Sequence, residues 1–246
     1  MFLKGAYCKQ MRLCVEESPN YRYNPRPFRV CASFFLALFI MSQFFSIHPD
    51  NPQQRLISQA VEIIRKGGVV AYPTDTTYAL GCRIGDKQPL ERIRRLRRLD
   101  EKHLYTMMCR DLSELGVYAR VSNQVFRQLK AHTPGAYTFI LEATKEVPRR
   151  LQSGKRKQIG LRVPDNRILQ AILDTLDEPI LNTTLILPDD EYPLIDPYDI
   201  RDVLEHQVDL VIDGGYGGLE ETTVVDLSAE IPELIRQGLG DFAGFS

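Results

Sequence analysis

The chain has 246 residues, of which 43% are apolar and 26% charged, and a formal net charge of -1. This composition belongs to an ordinary globular protein long enough to bury a substantial core in one domain, and it excludes a disordered chain, a disulfide scaffold and any global pull toward polyanions. A basic site must therefore be local.

Charge is uneven along the chain. Lys4, Lys9, Arg12, Arg22, Arg26 and Arg29 face only Glu16 and Glu17 within residues 1–40, which leaves the remainder net acidic. Cys8, Cys14 and Cys31 fall in that first segment, and Cys82 and Cys109 follow without a CxxC pair or a Cys/His cluster. No metal site is expected, and reduced thiols in a cytoplasmic protein fit best.

The apolar run Val30–Phe45 follows three arginines and superficially copies a signal peptide. It is interrupted, too short for a confident membrane span, and lacks a small-residue cleavage site. Met41 reads as a complete beginning, so residues 1–40 are set apart as an N-terminal extension, its presence in the native protein left open, and 41–246 form the domain. That domain begins with a short strand and a Pro-Asp-Asn-Pro turn. A helix over Gln54–Lys66 follows, with Leu56, Ile57, Ala60, Val61, Ile63 and Ile64 at helical spacing and Gly67-Gly68 as its stop.

Strand Val69–Tyr72 comes next, then a helix over Leu90–Leu99 with Arg92, Arg94, Arg95, Arg97 and Arg98 around its apolar stripe. Further strands are expected at 105–109, 137–143, 159–163, 180–187, 210–213, 223–227 and 234–237. Helices are expected at 112–118, 123–131, 167–176 and 199–206. This interleaving predicts a single α/β (α+β) domain on one twisted mixed sheet covered by helices.

Three stretches carry polar chemistry. GVVAYPTDTTYALGC, Gly68–Cys82, begins as a buried strand and runs into Thr74, Asp75, Thr76, Thr77 and Tyr78. It reads either as a ligand-facing strand edge or as a turn capped by Thr and Asp. Around IGLRVP, the cations Arg149, Arg150, Lys155, Arg156, Lys157 and Arg162 form either a phosphate-neutralising patch or a solvated loop. Arg162 differs from its neighbours, since it alternates with Leu161 and Val163 in a strand and a buried charge there needs an anion. The glycines of VIDGGYGGLEETTVVDL match neither dinucleotide-binding nor P-loop spacing, and no histidine has a Ser-His-Asp or Cys-His context.

The order YPTDTTYALGC, an arginine-rich helix, TPGAYTFIL, IGLRVP, EPILNTT, VDLVIDGG, ETTVVDL, IRQGLGD resembles the YrdC-like family, most closely its YciO branch, from Met41 to the end. The resemblance implies a twisted mixed sheet with an open basic cavity, and double-stranded RNA binding by some members. Its enzymes condense threonine, bicarbonate and ATP into threonylcarbamoyl-adenylate for the t6A modification of tRNA.

Carried onto this chain, the resemblance implies Thr74, Thr77 and Arg162 as contacts to threonine, with Arg162 on its carboxylate. Arg97, Thr138, Thr184, Thr222 and Arg236 would contact ATP, with Mg²⁺ accompanying the triphosphate. It implies Arg94, Arg95, Arg98, Lys155, Arg156 and Lys157 as candidate contacts to tRNA or other double-stranded RNA. No catalytic residue is singled out. The synthases' Lys-x-Arg and Ser-x-Asn pairs align here with Arg97 and Leu99 and with Thr184 and Ile186, so weak synthase activity is expected. The alternative is a non-catalytic RNA-binding factor acting on tRNA or rRNA.

Overall fold

The computed structural model describes residues 41–100, 103–152, 157–229 and 231–245, and the expectations placed on residues 1–40 lie outside that range. The chain runs β1 (Gln43–Ser46), α1 (Gln54–Arg65), β2 (Val70–Pro73), β3 (Tyr78–Arg83), α2 (Lys87–Arg97), β4 (Thr106–Met108), α3 (Leu112–Tyr118) and α4 (Asn123–His132). It continues through β5 (Tyr137–Glu142), β6 (Gln158–Arg162), α5 (Arg167–Leu176), β7 (Ile180–Thr184), α6 (Pro197–Leu204), β8 (Leu210–Asp213), β9 (Thr223–Asp226) and β10 (Glu233–Arg236).

Helix boundaries follow from local chemistry. Asp111, Ser122 and Asn166 accept hydrogen bonds from the backbone N–H of Glu114, Val125 and Leu169, capping α3, α4 and α5. Gly67, at φ +82°, turns the chain out of α1. Arg98 takes a left-handed conformation at φ 48° and ends α2, so Arg97 and Arg98 leave the helix in different directions.

Among the described residues ten strands join one mixed sheet in the order β1-β8-β2-β3-β7-β4-β6-β5-β9-β10. The pairs β1–β8, β2–β8, β4–β6 and β5–β9 are parallel, and the others antiparallel. The expected strand Val69–Tyr72 is only half of an element: β2 and β3 form a tight antiparallel hairpin, with Pro73 opposite Tyr78. The polar run of residues 74–77 is its turn. Sequence reading missed β3 because the threonines and aspartate before it look like the end of a strand rather than the bend between two.

Alternation along the strands separates two cores. On one face Ala71, Leu80, Met107, Phe139 and Leu161 pack with Leu90 and Ile93 of α2, Leu115 of α3, Leu129 of α4 and Leu204 of α6. On the other, Val70, Tyr72, Met108 and Ile180 pack beneath Ile57, Ala60 and Ile64 of α1 and Ile168 and Ile172 of α5. Strand register puts Thr106, Asn182 and Arg162 on this second face, since Thr106 opposes Asn182 and Met108 opposes both Ile180 and Arg162. The core residues under α1 and α5 stop short of β5, β9 and β10, and there the face is left open.

Candidate functional site

The open half of that face is a hollow of about 400 Å³, bordered by Arg97, His103, Thr138, Arg162, Asn182, Thr184, Glu221, Thr222 and Arg236, with Ile140, Ile186, Val224 and Ile235 as apolar wall. Its size and mixed lining suit a small polar ligand with an apolar portion.

One side is a network centred on Thr222. Its hydroxyl lies 2.9 Å from that of Thr138, and both side chains are buried. Arg236 donates to the Thr222 carbonyl from Nε and Nη2, at 3.2 and 3.0 Å, to the Thr222 hydroxyl at 3.3 Å, and to Glu221 Oε2 at 2.6 Å. One hydrogen of the two hydroxyls suffices for their mutual bond, which leaves the other for an acceptor in the hollow.

The opposite side is built on Arg162, whose side chain is 5% exposed and which donates from Nη2 to Asp75 Oδ1 and, at 3.2 Å, to the Thr76 hydroxyl. The anion that the sequence demanded for Arg162 is thus supplied from the β2–β3 turn. Burial lowers the Arg162 pKa against the opposing pull of Asp75. Arg162 Nε and Asp75 Oδ2 are buried without partners.

Arg97 closes the third side, donating from Nη1 to the Thr184 carbonyl while its Nε is buried without a partner. Arg162 and Arg236 each have a carboxylate partner, whereas among the described residues Arg97 makes no ion pair. Burial pulls its pKa down, with Glu221 opposing. The Arg97 guanidinium is thus partly desolvated and incompletely satisfied at the border of the hollow.

Other candidates fall elsewhere. Thr74 and Thr77 are buried in the turn behind Arg162, and their hydroxyls donate to the carbonyls of Thr77 and Tyr78 at 2.7 and 3.2 Å. Arg94 pairs with Glu91 at 3.3 Å, Arg95 donates to the Glu91 carbonyl at 3.3 Å, and Arg98 pairs with Asp189 at 3.0 Å. Helical spacing of three gathers Arg92, Arg95 and Arg98 instead around a second, shallower hollow of about 550 Å³ with Leu187, Pro188 and His206. Lys157 is exposed, while Lys155 and Arg156 lie outside the described residues.

Glu221, Asn182 and Asp75's ion pair were not singled out from the sequence. Period-2 alternation from buried Ile180 through Asn182 to Thr184 was the available signal for Asn182.

The glycine-rich segment after β8 straps the β2–β3 turn to this network. Gly218 donates to the Thr76 carbonyl at 2.6 Å, and the Tyr78 hydroxyl donates to the Gly215 carbonyl at 2.8 Å. A Cβ at Gly218 would lie 2.5 Å from the Thr76 carbonyl oxygen, and one at Gly217 2.9 Å from the Tyr78 ring. Glycine is required at both by close approach.

Residues 62–238 match the family model described as Telomere recombination, which spans Sua5, YciO and YrdC. The chain belongs to the Sua5/YciO/YrdC family. Within it, the chain is 60% identical over 205 residues to YciO of Escherichia coli (strain K12), covering 83% of this chain and 100% of that protein. The crystal structure of Escherichia coli YciO superposes with a TM-score of 0.81 over 84% of this chain and 100% of that one. More distantly, it is 25% identical over 186 residues to a threonylcarbamoyl-AMP synthase of Vibrio vulnificus (strain YJ016), covering 74% of this chain and 98% of that one.

The two positions at which the sequence reading expects departures from the synthases fall in different places. Ile186 borders the hollow, whereas Leu99 packs against the core beneath α2. Among the described residues no helix is long and apolar enough to cross a membrane.

Proposed function

We propose that the hollow binds ATP and L-threonine, and that the protein forms threonylcarbamoyl-adenylate slowly, in the cytosol, as a step toward t6A in tRNA. The observation that carries this reading is Arg97, a half-buried cation with no ion pair among the described residues, facing the Thr138–Thr222–Arg236 network across one hollow. The sequence relation to a threonylcarbamoyl-AMP synthase supplies the chemistry. The buried free thiols of Cys82 and Cys109 support a reducing compartment.

In this reading the threonine amine takes up CO₂ derived from bicarbonate to give a carbamate. A carbamate oxygen then bonds to the α-phosphorus of ATP while the α–β bridging bond breaks and its electron pair leaves with pyrophosphate. Arg97, Arg236 and the Thr138–Thr222 hydroxyls hold phosphate oxygens, and Arg162 holds the threonine carboxylate. Among the described residues Glu221 is the carboxylate that borders the hollow, which suits Mg²⁺ that stays largely on the triphosphate. Mg²⁺ would offset charge on the phosphates. Ile186 cannot donate to an oxygen, and one missing transition-state donor lowers the rate by about a hundredfold or more.

The purified protein incubated with ATP, Mg²⁺, L-threonine and bicarbonate should release pyrophosphate slowly and only with threonine present, together with the matching adenylate. No threonine-dependent pyrophosphate at stoichiometric enzyme overturns the catalytic reading. The second hollow, with Arg92, Arg95 and Arg98, favours a second reading as a non-catalytic factor that binds duplex tRNA or rRNA. Its affinity should then fall steeply with salt, and salt-independent binding rejects it.

A further inference from the structure

The Asp75–Arg162 pair is nearly dry, with side chains 11% and 5% exposed. Yet it is incompletely bonded: among the described residues Arg162 Nε and Asp75 Oδ2 have no partners. A buried ion pair is favourable only when its remaining donors and acceptors are met, so this arrangement needs a reason beyond stability.

The turn fixes the guanidinium through a directed chain of hydrogen bonds. Thr74 Oγ1 donates to the Thr77 carbonyl at 2.7 Å, so its hydrogen is spent and it acts as acceptor toward both the Thr76 N–H and the Thr76 hydroxyl, each at 3.1 Å. The Thr76 hydroxyl therefore donates to Thr74 and presents a lone pair to Arg162 Nη2. Asp75 and Thr76 both grip the same terminal nitrogen. Nε is buried, and among the described residues Nη1 is the terminal nitrogen that neither Asp75 nor Thr76 holds, on a residue that borders the hollow.

Electrostatics adds a second consequence. Asp75 cancels the formal charge of Arg162, so the pair contributes an oriented donor and little net attraction, whereas Arg97 has no such counter-ion among the described residues. An oriented donor selects a small acceptor by geometry. A net charge draws a polyphosphate from a distance.

We propose that Asp75 is a positioning residue that, by holding Nη2, aims Nη1 of Arg162 at the carboxylate of the amino-acid ligand, and so separates amino-acid recognition from nucleotide recognition within one hollow. This rests on the reading of the hollow as a joint amino-acid and nucleotide site.

The test is calorimetric titration of the full chain with L-threonine and, separately, with ATP, for the wild type, Asp75→Asn and Thr76→Val, alongside thermal melts. Asp75→Asn should weaken L-threonine tenfold or more and leave ATP unchanged or tighter, because the hollow gains one net positive charge. Thr76→Val keeps the ion pair and the side-chain volume, and should weaken L-threonine about threefold at unchanged ATP affinity.

Should Asp75→Asn fail to fold, Thr76→Val decides. Threonine affinity within twofold of wild type in the folded variants overturns the positioning role, as does a parallel loss of both ligands, which marks a merely structural turn. A wild-type protein that binds ATP but not L-threonine instead overturns the underlying reading of the hollow.

Discussion

His103 and Arg97 share one wall of the hollow, and they constrain each other. Burial pulls the His103 pKa below its ordinary 6.5, the Arg97 guanidinium pulls it further, and Asp100 opposes; the Tyr105 ring packs edge-on at 5.1 Å. Because the folded value is the lower one, the unfolded chain binds this proton more readily, and stability contributed here is intact above pH 6.5 and lost as pH falls below it. Thermal melts between pH 8 and 5 should show a midpoint that declines below pH 6.5, with a shallower decline in His103→Gln. Equal slopes in the two proteins would exclude His103 as a contributor.

Arg162 was legible at this scale, because a charge alternating with Leu161 and Val163 has to meet an anion. That the anion is Asp75, far away in sequence, was not, since β6 and the β2–β3 turn meet only through the sheet order. The opposite happened with the arginines of α2. Their abundance was plain, but not their division: Arg92, Arg95 and Arg98 border the second hollow, Arg94 pairs with Glu91, and Arg97 borders the first hollow.

At the level of elements, the β2–β3 hairpin backs the hollow, holding Asn182 through Tyr72 and Arg162 through Asp75 and Thr76. Gly81 sits in β3 opposite Asn182, and the Tyr72 hydroxyl that donates to Asn182 Oδ1 at 2.9 Å crosses directly over it. A Cβ there would lie 2.6 Å from the Tyr72 ring and 2.8 Å from Ile180 Cγ2. Gly81→Ala should therefore destabilise the fold by about 1–3 kcal/mol through overpacking, read as a lower urea midpoint at unchanged slope. Wild-type stability would mean that the ring moves freely. Helices and most strands were readable from periodicity, since their apolar faces are continuous. β3 was hidden because its neighbour strands, not its own residues, complete its pairing.

For the molecule as a whole, the decisive property is a sheet wider than the helices on one of its faces. Alternating strands and helices foretold the mixed sheet, but which half of a face stays open depends on strand order, and that order is set by crossovers no local pattern records. An open face lined by cations should make folding and ligand binding strongly linked. Saturating ATP at a hundred times its dissociation constant adds about 2.7 kcal/mol of stability. For a chain of this size that corresponds to a rise of about 5–10 °C in the melting midpoint. Arg97→Ala should keep the unliganded midpoint near wild type and forfeit most of the rise at the same ATP concentration. An undiminished rise would remove Arg97 from the binding surface.

The glycine strap has a mechanical corollary. Because hydrogen is the only substituent that clears Thr76 and Tyr78 at positions 218 and 217, the hairpin bend on one shore of the hollow and the Glu221–Thr222 segment on the other are buttoned together without slack. A methyl group added at residue 218 would push the two shores apart and reshape the hollow between them without changing any residue that borders it.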